Sequence, residues 1–181
     1  MASIGLKRLK YGILNETNET YGSAGTIGKA IDCKVSLDLN SAELYADDSV
    51  AESDYSLKKG TITLTVDDSE DTVIAALTGH AIDSTSHVMT RKGSDITPYV
   101  GLGRIITKVV GGVYKYKVEF LSKVKFKDSL PDEKTKGESV EFGTTQLEGT
   151  ILKLSDGTWS KTKTFTTETE AITYLEGLFG S

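Results

Sequence analysis

The chain has one cysteine, Cys33, so no internal disulfide can form and folding needs no oxidising compartment. Proline is scarce, at 2 residues against 18 glycines, and Ser and Thr are common. That balance favours β structure with glycine turns. Positive charge is in deficit: Lys plus Arg is 21, Asp plus Glu is 26, and the formal net charge is -5. Phosphate contacts need clustered cations, so a general nucleic-acid binder is a poor fit. No apolar run approaches the roughly 18 to 20 residues that span a bilayer. Residues 1–10 also lack the long apolar core of a signal peptide. The expectation is a soluble protein made in a cytoplasm, with no membrane insertion.

At 181 residues the chain is one domain by size and long enough to bury a core. Residues 4–14 read as a first strand. Residues 15–29 are turn-rich. Over residues 30–39, Ile31, Cys33, Val35, Leu37 and Leu39 alternate with Asp32, Lys34, Ser36 and Asp38. That period of two marks a half-buried strand. Ile62, Leu64 and Val66 repeat the pattern. Residues 68–79 change period: Ser69 as cap, acids in the first turn, a Val73, Ile74 and Leu77 stripe and a closing Gly79 predict a helix of roughly three turns.

Residues 99–110, 112–126 and 140–154 read as long strands, with Gly111-Gly112 as the hairpin turn between the first two. Tyr114, Tyr116, Val118 and Phe120 fall on one face. Asp156-Gly157 is a further turn. Thr167 with Glu170 forms a capping box, followed by an apolar helical face of Ala171, Ile172, Leu175, Leu178 and Phe179. The predicted fold is mainly β: an antiparallel sandwich or partly open barrel, one short central helix and a terminal helix. Residues 155–181 form a C-terminal hairpin and helix extension.

Chemistry is hard to find. His80 and His87 are the only histidines. His80 follows a helix-ending glycine, where a cationic ring suits the dipole, and Asp83 is near in sequence. Cys33 falls on an apolar strand face, where it acts as a small hydrophobe. A Cys33–histidine nucleophile pair is the enzymatic alternative. Gly101-Leu102-Gly103 is too short for a phosphate fingerprint and fits a bulge or tight strand crossing. Asp47-Asp48 and Asp67-Asp68 do not fit a calcium loop. No catalytic, cofactor or metal residue is assigned. Lysines 115, 117, 123, 125 and 127 interleave with aromatics, which offers a second alternative: a monomeric β-barrel module binding nucleic acid or oligosaccharide. Alternation, however, puts Lys115 and Lys117 opposite the tyrosines.

The segment 40–59 stands out as a long polar connection between two strand-like runs. Connections of this length in compact domains usually have a function. Leu44, Tyr45, Tyr55 and Leu57 give it apolar anchors, and Asp47 and Asp48 can meet basic groups on a neighbour. The charged connection 127–138, with Lys134 and Lys136, is a second candidate contact. These eight residues form the expected subunit interface.

Ser3-Ile4-Gly5-Leu6-Lys7, residues 40–48, Ser94 to Gly103, Lys136 to Phe142 and Leu147-Glu148-Gly149-Thr150, in this order, resemble the major tail proteins of long-tailed bacteriophages of the phi13 type. The resemblance covers residues 4–154. It implies a virion subunit, made in the bacterial cytoplasm, that forms six-membered rings stacked into a hollow tube. Sheets of neighbours would join into an inner barrel through which viral DNA passes without specific binding. The implied partners are copies of itself and tape measure, terminator and distal tail proteins. Neither enzyme activity nor a cofactor is implied.

Overall fold

A computed structural model of the chain describes residues 2–46, 49–128 and 144–180; at 2–3, 41–46 and 49–55 it describes the backbone alone. The first strands are β1 (Ala2–Asn15), β2 (Thr20–Tyr21), β3 (Gly25–Thr26), β4 (Ala30–Ala46) and β5 (Ser49–Val66). Helix α1 (Asp71–Thr78) and the short strands β6 (Ala81–Ile82) and β7 (Met89–Thr90) follow. The chain continues with β8 (Val100–Val110), β9 (Val113–Phe126), β10 (Thr145–Leu152), β11 (Ser160–Phe165) and α2 (Glu168–Glu176). The fold is mainly β and its ladders are antiparallel, as the alternation predicts. One sheet runs β2-β1-β8-β9-β10-β5-β4; β11 adds to β9 and β3 to β1. The end strands β1 and β4 approach each other without pairing, so the sheet curls into a partly open barrel.

Local sequence explains several joints. Gly111 and Gly112 both take positive φ, 59° and 79°, and close the tight β8–β9 turn at Val110↔Val113. Two consecutive left-handed residues match the twist of a two-residue hairpin. A register shift between Val100 and Leu102 makes the predicted irregularity at Gly101. At Gly103 a Cβ would overlap Leu175 of α2, so glycine there lets the helix lie against the sheet. The Thr167 hydroxyl accepts from the Glu170 N–H at 3.4 Å and donates to its carboxylate at 2.8 Å.

Two apolar clusters lie on opposite faces of β8 and β9. The first contains Leu9, Ile62, Leu64, Leu102, Leu121 and Val124, with Leu77 from α1. The second joins Ile105, Val118 and Phe120 to Ala171, Leu175 and Phe179. Adjacent residues in a strand point to opposite faces, so Phe120 and Leu121 serve different cores. Tyr21 and Phe179 meet Phe120 edge-on, with ring centroids at 5.0 and 5.4 Å. The Tyr21 hydroxyl donates to the Ser122 carbonyl at 2.8 Å.

Four expectations need correction. Residues 40–59 are not a connection but paired strand, from Asn40↔Ser56 to Ala46↔Ser49. Its sequence carries no alternating apolar signal of the kind that marks a half-buried strand. Second, α1 spans eight residues rather than about three turns; Glu70 is its N-cap, and the Ser69 hydroxyl donates instead to the Ile27 carbonyl at 2.8 Å. Third, the apolar face of β4 is only partly covered: Cys33 and Val35 are half-buried, Leu37 on the same face is 40% exposed, and Ile31 and Leu39 are 55% and 46% exposed. Register shifts at Ala30/Asp32 and Asp38/Leu39 interrupt the alternation at Ile31 and Leu39. Fourth, the last long strand begins at Thr145, and residue 140 lies outside the described residues.

Candidate functional site

The β4–β5 ribbon follows from pairing lengths. β10 pairs with β5 only over Gly60 to Val66, whereas β4 pairs with β5 along its whole length. Residues 40–46 and 49–56 therefore form a two-stranded extension past the end of β10. Leu44, opposite Glu52, and Tyr45, opposite Val50, lie on this ribbon with Tyr55, opposite Ser41. A register shift separates Leu44 from Tyr45. Leu57 sits at its base opposite Leu39 and is buried, 7% exposed, so it is a core residue rather than a free anchor. Asp47, Asp48, Lys134 and Lys136 lie outside the described residues.

The sheet also leaves backbone edges open. Among the described residues, no strand pairs with the outer edge of β4, and β2 and β3 join β1 only from Lys10 onward. An open edge presents unpaired N–H and C=O groups to any strand that approaches. Near the β1 edge, Ile4, Val113 and Tyr114 are exposed. A shallow depression of about 260 Å³ is lined there by Ile4, Lys7, Thr107, Tyr114 and Tyr116.

At the seam between β1 and β4 is a charged group that sequence reasoning missed. Arg104 Nε donates to Glu119 at 2.7 Å, Lys117 Nζ lies 3.2 Å from the same carboxylate, and Arg104 Nη1 reaches the Cys33 carbonyl at 3.4 Å. The signal was available: Arg104 interrupts the otherwise apolar run Leu102 to Ile106 and shares a face with Leu102. Burial pushes the Glu119 carboxyl up, but the charge and hydrogen bond of Arg104, with Lys117 behind them, hold it below its ordinary value.

The two alternative chemistries find little support. Burial pushes the Cys33 thiol up to about 11, and its titration neighbours are Arg104, Glu119 and Asp32. A reactive thiol needs the opposite shift. Of the lysines on the β9 face, Lys117 binds Glu119, Lys123 binds Glu16 at 3.0 Å while lying over the Tyr99 ring, and Lys127 binds Glu148. That face offers less free positive charge than its lysine count suggests. His80 pairs with Asp95 and Asp128, not with Asp83, whose carboxylate accepts from the Thr85 and Ser86 N–H groups. Among the described residues no group of three or more His, Cys, Asp or Glu is arranged to hold a metal ion. No helix among them is long and apolar enough to cross a membrane. No protein-family model matches this chain, and no curated protein matches it either.

Proposed function

We propose that this chain is a structural subunit that polymerises with copies of itself, as the tail tube subunit of a long-tailed bacteriophage whose stacked rings conduct DNA. The observation that carries the reading is the β4–β5 ribbon running past β10 with no third strand paired to it among the described residues. An isolated two-stranded ribbon is marginally stable in water. A neighbouring copy can supply the missing packing, and strand addition at the open β4 and β1 edges can supply the missing hydrogen bonds. Exposed Leu37 and Leu39 at the ribbon base give that contact apolar area. The net charge of -5 favours a conduit to which DNA does not adhere, since like charges repel.

The test is removal of residues 42–54 with a short turn in their place. The expected product is a folded monomer by circular dichroism and sedimentation that makes no tubes in negative-stain microscopy, while the intact chain makes them at high concentration. Normal tubes from the shortened chain, or an intact chain that stays monomeric at every concentration, would overturn the proposal.

A further inference from the structure

Away from the ribbon, one side-chain cluster has no part in the reading above. Gly79 ends α1 in the left-handed conformation, with φ 82°, and the N–H groups of Gly79 and His80 both donate to the Ala75 carbonyl. This fixes the His80 ring at the helix end, where its side chain is 6% exposed. Nδ1 lies 2.7 Å from Asp95 Oδ2. Nε2 lies 3.0 Å from Asp128 Oδ2, an ion-pair distance approached off the hydrogen-bond axis. Asp95 belongs to the connection between α1 and β8, where its carboxylate also accepts from the Lys92 N–H at 2.8 Å. Asp128 stands two residues past the end of β9. Among the described residues Arg91 is the other cation against Asp128, with Nε at 3.6 Å.

We propose that His80 is a proton-operated latch that ties the α1–β8 connection to the exit of β9. The chemistry of the ring carries it. A neutral imidazole has one N–H and one lone pair. Either tautomer would leave one ring nitrogen unprotonated beside a carboxylate oxygen, at 2.7 Å on one side or 3.0 Å on the other. Only the doubly protonated ring attracts both. Loss of the proton leaves the shorter contact to Asp95 as the surviving hydrogen bond and turns the Asp128 contact repulsive. Asp128 then keeps its Arg91 contact, and the tie across the two elements opens. The hydrogen bond that Asp95 accepts raises the His80 pKa most, and Asp128 raises it further against the opposing effect of burial.

The sign follows from linkage. A folded-state pKa raised above the ordinary 6.5 means the latch is fully closed below 6.5 and opens as pH rises through the folded value.

The test is a pH titration of the full chain by NMR, following the His80 ring carbons and amide exchange over residues 80–96. The expected wild-type midpoint lies above 6.5, and exchange, corrected for its intrinsic pH dependence, rises across it. Asp128→Asn should lower the midpoint towards 6.5 while the Asp95 contact persists. His80→Gln should show raised exchange with no step. A wild-type midpoint at or below 6.5, an unchanged midpoint in Asp128→Asn, or the same exchange step in His80→Gln would overturn the latch. Asp128 is partly exposed, so its asparagine variant keeps the test valid if His80→Gln fails to fold.

Discussion

Arg104 on β8 donates to the carbonyl oxygen of Cys33 on β4 at 3.4 Å, across the one seam where the curled sheet has no ladder. Glu119 and Lys117 hold the guanidinium in position from β9. The barrel is thus closed at this point by a side chain instead of by backbone pairing.

Arg104→Met removes the partner of a carboxylate that is only 18% exposed and unties β4 from β8. Breaking one side of such a pair is more harmful than replacing both. With Lys117 still present, the expected loss is about 2–3 kcal/mol in urea unfolding at neutral pH. A change below about 0.5 kcal/mol, the range of ordinary surface substitutions, would mean that the seam is held by other contacts. Acid titration gives a second readout. Glu119 titrates below its ordinary 4.5 in the folded chain. Its stabilisation is therefore present above 4.5 and is lost as pH falls through the folded value. The acid slope of stability should be shallower in Glu119→Gln than in wild type; equal slopes would contradict the assignment.

Gly103 and Leu175 occupy one space. A methyl group at Gly103 overlaps the Leu175 side chain, which is 1% exposed. Gly103→Ala should destabilise by about 1–3 kcal/mol through overpacking, and Leu175→Ala by about 2–5 kcal/mol through the cavity it leaves. The double variant should lose clearly less than the sum, because each change relieves the other. Thermal or urea unfolding of the four proteins decides it, and strict additivity would show that α2 shifts to avoid the clash.

Leu39 is 46% exposed at the base of the ribbon. Leu39→Lys should leave monomer stability within about 0.5 kcal/mol. If this surface packs against another copy, the substitution raises the protein concentration at which polymers appear in light scattering. An unchanged threshold would remove Leu39 from the contact.

Much of the sheet was legible because its signals are local. Ile62, Leu64 and Val66 alternate and are all buried, and two adjacent glycines turn the chain between β8 and β9. The capping box at Thr167 and the apolar stripe of α2 were equally readable. The ribbon was not, since residues 40–56 carry no apolar alternation from which a strand pair could be read. Of the eight interface residues expected from sequence, Leu44, Tyr45 and Tyr55 fall on the ribbon and Leu57 is buried. The other four lie outside the described residues.

The sequence by itself determined the antiparallel β class, the β8–β9 hairpin and the terminal helix. Each depends on residue spacing within a few positions, which sets which way neighbouring side chains point. Tertiary structure alone decided that Arg104 meets Cys33, 71 positions away, and that His80 lies between Asp95 and Asp128. Those meetings arise from how far the sheet curls and where α1 stops against it, and packing summed over the whole core sets both.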